Sequence, residues 1–228
     1  MQDYSAIAIA AVFALVGVIL LAGRNLSRPL FWVCALAGAI TGPIAREGTQ
    51  MAWEWLGPVG ALANNPAGST VYLLITAAIG ELVKATAPLA VVSFIPTNAV
   101  AAIAYGAAAG AGFGFMATQQ VLALAMKLVG STFITPLSTV VAIIGWFFPV
   151  LAHTATTAYV ARAGVRGGLG LAFLFAWVVQ FALGLALRLP VIAGVALGTV
   201  VTAIIALGLF ASLWVTRNRA MSGSPAQP

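Results

Sequence analysis

Seven apolar stretches, each close to the length of a membrane span, constrain this chain more than any other feature of its sequence. A helix that crosses the hydrocarbon core of a bilayer needs about 20 mostly apolar residues. Short breaks rich in Arg, Asn, Pro and Gly separate the stretches. The sequence therefore predicts an all-α bundle of about seven transmembrane helices. The predicted spans are 4–22, 29–45, 70–95, 99–128, 139–161, 169–187 and 191–215.

Composition excludes a soluble globular enzyme. Of the 228 residues, 62% are hydrophobic and 6% are charged, whereas soluble domains carry about 25% charged residues. The net charge of +6 arises from basic residues scattered at the ends of the apolar stretches, so we expect a lipid bilayer and no nucleic acid around the protein. With one cysteine, Cys34, no internal disulfide can form. We expect one integral membrane domain over 1–219 and a disordered tail over 220–228.

The distribution of basic residues predicts the orientation in the membrane, because cytoplasmic loops carry an excess of Lys and Arg. With the N-terminus outside, the cytoplasmic side receives six arginines, namely Arg24, Arg28, Arg162, Arg166, Arg217 and Arg219. The outer side then receives three basic and three acidic residues, namely Arg46, Lys127, Arg188, Asp3, Glu47 and Glu54. We therefore expect an outer N-terminus, a cytoplasmic C-terminus and a multi-pass protein of the cell membrane.

Two further segments have their own interpretation. The first apolar run lacks a basic region before it and is longer than the apolar region of a usual signal peptide, so we expect a retained transmembrane helix. Residues 49–63 are apolar but contain Trp, Glu and Pro. Because Trp favours the headgroup level, we predict that they form an interfacial segment.

Four polar side chains lie well inside the predicted spans and are the candidates for a functional site. Glu81 and Lys84 are three residues apart, so on a helix they share a face and can contact each other. Helical rise places Glu81 about 16 Å, Gln119 about 15 Å and His153 about 21 Å from the outer ends of their spans. Because ionisable groups in a bilayer are costly, they usually face a cavity and serve a function. The sequence therefore predicts one mid-membrane site that contains all four residues.

Prolines and glycines near these residues predict a cavity and close helix packing. Pro88 follows Lys84 by four residues, and Pro149 precedes His153 by four, so each removes one helical hydrogen bond. Such breaks are tolerated in a membrane where the backbone lines a cavity or is buried in protein. The fourth span has a face of small residues that permits close approach, formed by Gly106, Gly110 and Gly114. We expect this approach to bring Gln119 toward the other candidates.

The same residues resemble the motifs of PrsW-type intramembrane proteases, part of the glutamic-type superfamily that includes CAAX-prenyl proteases. Gly80-Glu81-Leu82-Val83-Lys84 is similar to the first motif, Glu-Glu-x-x-Lys, and His153 matches a His in a later span. The fourth span resembles the second motif, Tyr-Gly followed by Gly-Phe-Ala-x-x-Glu-Asn, through Tyr105-Gly106, Gly114-Phe115 and Gln119-Gln120. The resemblance covers residues 70–160. It departs from the family where Gly80 and Gln119 replace Glu and where Gln120 replaces Asn.

The resemblance implies hydrolysis of a peptide bond inside the membrane. A Glu of the family activates water as general base, and a His with neighbouring polar groups stabilises the tetrahedral oxyanion. This implies Glu81 as base, His153 or Gln119 as hydrogen-bond donor, and Lys84 beside the base. The implied substrate is a transmembrane protein or peptide, and no cofactor is expected. Because Gly80 and Gln119 have replaced two family carboxylates, Glu81 is the single candidate base, and a degenerate, non-catalytic protease fold is the alternative.

Other functions stay open at this point. A non-catalytic relative would bind or scaffold membrane partners through the same groove. A small transporter or ligand-binding subunit would use Glu81 and Lys84 as a substrate or proton site, although no inverted repeat or pair of broken helices supports this. Purely structural roles are the further alternative: a self-neutralised pair for Glu81 and Lys84, a hydrogen-bonded core residue for His153, and an interhelical hydrogen bond for Gln119. Metal catalysis is disfavoured, because a catalytic zinc needs three protein ligands.

Overall fold

The computed structural model of the protein describes residues 2–55, 66–129, 136–186, 189, 191–192 and 195–222. The helices in this part of the chain are α1 (Gln2–Ala22), α2 (Pro29–Trp55), α3 (Pro66–Phe94), α4 (Ala99–Val129), α5 (Pro136–Arg166), α6 (Leu169–Ala186) and α7 (Leu197–Ser222). A 3-10 helix, Gly23–Ser27, joins α1 to α2. Two-residue strands, β1 (Val191–Ile192) and β2 (Val195–Ala196), pair antiparallel between α6 and α7. The predicted all-α bundle is confirmed.

The outer surface of the bundle is suited to lipid. Within the described residues, every helix except α5 contains a stretch long and apolar enough to cross a membrane, with mean hydropathy of 1.3 to 2.4. Large apolar side chains point outward, among them Leu171 at 76% exposure and Ile204 at 67%. Contiguous exposed apolar surface of this kind is rare on soluble monomers. The chain is therefore a multi-pass membrane protein.

Most helices extend beyond the predicted spans, and α2 and α7 do so furthest, at their C-terminal ends. Residues 49–55, which we predicted to belong to an interfacial segment, continue α2 as far as Trp55. The remainder of that segment, 56–63, lies outside the described residues. Helix α7 continues to Ser222, so the first three residues of the predicted tail are helical and 223–228 are not described. Apolar length marks where a helix enters lipid, whereas the backbone hydrogen-bond ladder runs on into the interface.

Helix α4 occupies the centre of the bundle. Every residue from Ala101 to Gly114 is buried, and α4 packs most extensively against α5, α2 and α1. This stretch consists largely of Ala and Gly, which make a thin helix that several neighbours can approach at once. The composition of the fourth span thus explains why it became the central helix.

The glycine face of α4 contacts the backbone of α5. A Cβ atom at Gly106 would lie 2.6 Å from the carbonyl oxygen of Thr157, and one at Gly110 would lie 2.2 Å from that of His153. Real Cβ atoms do not approach so closely, so only glycine fits at these two positions. The predicted close packing along this face is confirmed, and it brings the backbone of α4 directly against His153.

Candidate functional site

Lys84 is the centre of a buried polar cluster formed by α3 and α5. Its ammonium group forms an ion pair with Glu81 Oε1, donates to Thr156 Oγ1 at 3.0 Å and lies 3.2 Å from His153 Nδ1. Both Glu81 and Lys84 have no exposed surface. An ammonium group has three hydrogens and no acceptor, so these three neighbours satisfy it. We call Glu81, Lys84, His153 and Thr156 the mid-membrane cluster.

Local sequence spacing places the four side chains. Glu81 and Lys84 are three apart on α3, and His153 and Thr156 are three apart on α5, so each pair shares one helix face. Helix α5 continues through Pro149, one turn before His153. The hydroxyl of Thr157 donates to the carbonyl oxygen of His153 at 2.8 Å. The structure thus brings together three of the four predicted site residues.

Phe113 of α4 covers the cluster from a third side. Its ring meets the His153 imidazole edge to face, with centroids 5.0 Å apart and planes inclined by 63°. The Lys84 nitrogen lies 5.7 Å from the centre of the same ring, within the range of a cation–π contact. Phe113 therefore helps to fix the orientation of the imidazole and brings α4 into contact with the cluster. The sequence offered no signal for this role, because aromatic residues are common in apolar spans.

A cavity of about 330 Å³ adjoins the cluster. Helices α2 to α6 all contribute to its wall. The lining residues are Gly42, Ala45, Arg46, Thr49, Leu73, Thr76, Ala77, Gly80, Glu81, Phe113, Met116, Ala117, His153, Gln180 and Gly184. This volume lies within the range of about 300–1,000 Å³ that is typical of small-ligand sites.

Two buried oxygen atoms on the cavity wall have no hydrogen-bond partner among the described residues. They are Oε2 of Glu81 and Oε1 of Gln180. Buried acceptors are nearly always satisfied by protein or water, so we expect water or another hydrogen-bond donor beside these two atoms in the cavity. Gln180 was missed from the sequence, although an amide inside the very apolar α6, with mean hydropathy 2.1, is a visible signal.

Gln119 is not brought to the cluster. The residue of α4 that packs on the His153 backbone is Gly110, nine positions earlier. Nine residues correspond to about 13.5 Å of rise and about two and a half turns, which places Gln119 on the opposite side of α4 from Gly110. Gln119 is partly buried and is not among the residues that line the cavity. Gln119 does not join Glu81 and His153 at one depth as expected. That depth was measured from predicted helix ends rather than from the contacts between helices.

Within the described residues, no group of three His, Cys, Asp or Glu side chains could hold a metal ion. Comparisons of the chain with protein-family models, with curated proteins and with solved structures found no match. The chemistry of the site is therefore inferred from its own residues.

Proposed function

We propose that this protein is a hydrolase of the cell membrane that cleaves a peptide bond in a membrane-embedded substrate, with Glu81 as general base. One observation carries the proposal. Lys84 holds one carboxylate oxygen of Glu81, while the other oxygen is buried at the cavity wall with no partner in the described part of the chain. A carboxylate with one free oxygen beside a cavity can accept a proton from a water molecule there.

His153 supplies the second catalytic group of the proposal. Because an ammonium group can only donate, His153 Nδ1 accepts from Lys84, and the proton of the neutral imidazole then lies on Nε2. An N–H donor on the cavity wall can stabilise the oxyanion that forms when water attacks a carbonyl carbon. Lys84 acts here as a positioning residue, since it orients both Glu81 and His153.

The proposed steps conserve atoms and protons. Water loses a proton to Glu81 as its oxygen bonds to the carbonyl carbon, and the carbonyl oxygen becomes an oxyanion bound by His153 Nε2–H. When the carbon–nitrogen bond breaks, Glu81 returns the proton to the leaving amine. The resemblance to PrsW-type proteases supports this assignment for Glu81 and His153. The resemblance gives no such support for Gln119, because Gln119 does not line the cavity. The ring of Phe113 contacts His153 instead.

The test uses purified protein in proteoliposomes with a panel of fluorescent single-span peptides. We expect His153→Ala to lower cleavage at least about 100-fold through loss of the oxyanion donor. Because Glu81→Gln alone would leave Lys84 unpaired, the base is removed in the double variant Glu81→Gln/Lys84→Met, and we expect a loss of about 100-fold or more. Glu54→Gln, an exposed carboxylate on α2, is the matched control. Full cleavage by the folded double variant would refute the proposal.

A second candidate is a non-catalytic protein that binds membrane-embedded peptides in the same cavity. It is favoured by the single carboxylate, Glu81, among the residues lining the cavity in the described part of the chain. Gly80 has room for a larger side chain, since its nearest neighbour lies 3.8 Å from a Cβ placed there. Under this alternative, peptides photo-crosslink to the wild type without being cleaved, and Gly80→Leu blocks crosslinking by filling the cavity. Gly170→Leu is the control, because a Cβ placed there would contact no other part of the described chain within 4 Å.

A further inference from the structure

A second cavity lies where five helices end on one face of the bundle. Its volume is about 750 Å³. Its wall is formed by the 3-10 helix between α1 and α2 with the Arg28 that follows it, the start of α4, the end of α5 and the last turns of α7. Four of its lining residues are Arg24, Arg28, Arg166 and Arg217. We call it the arginine cavity. These four belong to the six arginines that the charge distribution places on the cytoplasmic side.

The positive charge of the arginine cavity has no counterpart in its wall. Among the described residues that line it, none is acidic. The chain contains four Asp and Glu residues in all, and they lie at positions 3, 47, 54 and 81, far along the chain from every cavity residue. Four guanidinium groups around one space repel each other, and they favour an anion inside it. The compensating charge is therefore expected from another molecule.

The side chain of Arg217 is buried and held by contacts, which distinguishes this site from a group of exposed surface charges. It is 8% exposed, and its Nε atom has no hydrogen-bond partner among the described residues. Its Nη1 donates to the carbonyl oxygen of Leu20 at 3.2 Å, and its guanidinium lies 5.6 Å from the centre of the Trp214 ring. Gly23 leaves room for it, because a Cβ there would lie 2.1 Å from Arg217 Nη2. The buried guanidinium is thus held in place at the cavity wall.

The N-terminus of α4 supplies further donors. Asn98, Ala99 and Val100 line the cavity at the start of this 31-residue helix. Asn98 Oδ1 caps the helix by accepting from the Ala101 N–H at 2.9 Å. The first N–H groups of a helix lack intrahelical acceptors, and together with the helix dipole they favour an anion at this end. A helix N-terminus and four guanidinium groups therefore face the same space.

We propose that the arginine cavity binds a phosphate group. Guanidinium forks match the geometry of phosphate oxygens and bind them in a bidentate manner. The cavity opens at the end of the bundle where lipid phosphates lie, so the group belongs either to the headgroup of an anionic lipid or to a soluble phosphate. Both sources present the same chemistry to the arginines, and the experiment separates them.

The test measures the melting temperature of the full-length protein in a non-ionic detergent. Phosphatidylglycerol, phosphatidylcholine and inorganic phosphate are added separately, with chloride as the ionic-strength control. We expect a saturating ligand to raise Tm by about 5–10 °C. A rise with phosphatidylglycerol beyond that with phosphatidylcholine assigns the site to an anionic lipid, and a rise with inorganic phosphate assigns it to a soluble one. No rise with either ligand beyond its control overturns the proposal.

Matched arginine variants show whether the effect belongs to the cavity. Arg24→Gln/Arg28→Gln removes two charges from the cavity, and we expect it to lose most of the Tm rise. Arg162→Gln/Arg219→Gln removes the same charge at two positions that do not line the cavity, and we expect it to keep the rise. Equal loss in both double variants would mean a general charge effect and would overturn the proposal. Arg166→Gln, at an exposed position that lines the cavity, is a third variant that we expect to reduce the Tm rise.

Discussion

Two regions of this bundle bring charged side chains close together, and their charges are compensated in different ways. In the mid-membrane cluster, the ammonium group of Lys84 contacts a carboxylate, an imidazole and a hydroxyl of the protein itself. In the arginine cavity, Arg217 and its neighbours face no acidic side chain within the described residues. A buried charge surrounded by lipid must be neutralised by the chain itself. A charge at the end of the bundle can be neutralised by phosphate from outside.

The comparison predicts that removing one charged partner destabilises the protein more in the mid-membrane cluster than in the arginine cavity. We expect Lys84→Met to lower the free energy of unfolding by about 3–5 kcal/mol, because Glu81 is left as an uncompensated buried charge. Unfolding in mixed micelles with increasing SDS measures the loss. The double variant Glu81→Gln/Lys84→Met, which replaces the pair by neutral groups, should recover most of it. A double variant as unstable as Lys84→Met would show that packing, rather than charge, dominates this region.

Glycine substitutions sharpen the comparison, because a different kind of neighbour surrounds the glycine in each region. A Cβ at Gly110 would meet the backbone of His153 at 2.2 Å, and a helix backbone cannot move aside alone. We expect Gly110→Ala to destabilise the protein by about 1–3 kcal/mol, a range typical of overpacking. Gly208→Ala is the control, because the added Cβ would meet no other described residue within 4 Å, and it should stabilise α7 by about 0.5–1 kcal/mol. Equal effects in both variants, measured by the same unfolding assay, would contradict the close packing of α4 on α5.

Gly23, which lines the arginine cavity, should tolerate the contact of an added Cβ better than Gly110 does. Gly23 has φ +54°, so Gly23→Ala introduces backbone strain of about 1–2 kcal/mol. Its nearest neighbour is the end of the Arg217 side chain, which can move. We expect the moved guanidinium to weaken the Tm response to phosphatidylglycerol. Gly168→Ala, at φ +82° with open space around it, carries similar strain without this neighbour. If both variants respond to the lipid alike, Arg217 does not contribute to the site.

The smallest expected effect is a gain in stability. In detergent without anionic lipid and at low ionic strength, Arg24→Gln should raise the free energy of unfolding by less than about 1 kcal/mol, because it relieves repulsion between exposed charges. The gain should vanish near 1 M salt, where the Debye length is about 3 Å. Arg219→Gln, outside the cavity, should show no such gain. A gain for Arg219→Gln equal to that for Arg24→Gln would indicate that net charge, not the cavity, is responsible.

Much of the cluster could be predicted from spacing along single helices. The three-residue interval between Glu81 and Lys84 is enough to predict their contact, because both lie on one helix with known geometry. The glycine face of α4 was also predictable, and it does pack on α5. Gln119 shows the limit. Its position relative to His153 depends on how far α4 slides and turns against α5, and that register is set by contacts such as Gly110 on the His153 backbone.

The sequence by itself determined the class of this protein, its long helices, and the segregation of six arginines to one predicted side, since apolar length and loop charge act locally along the chain. The tertiary structure decided which polar groups meet. Phe113 and Thr156 reach the cluster while Gln119 does not, and four of the six arginines share a cavity. Helices in lipid associate through the fit of their surfaces, and that fit depends on all neighbours at once, so no single span could reveal it.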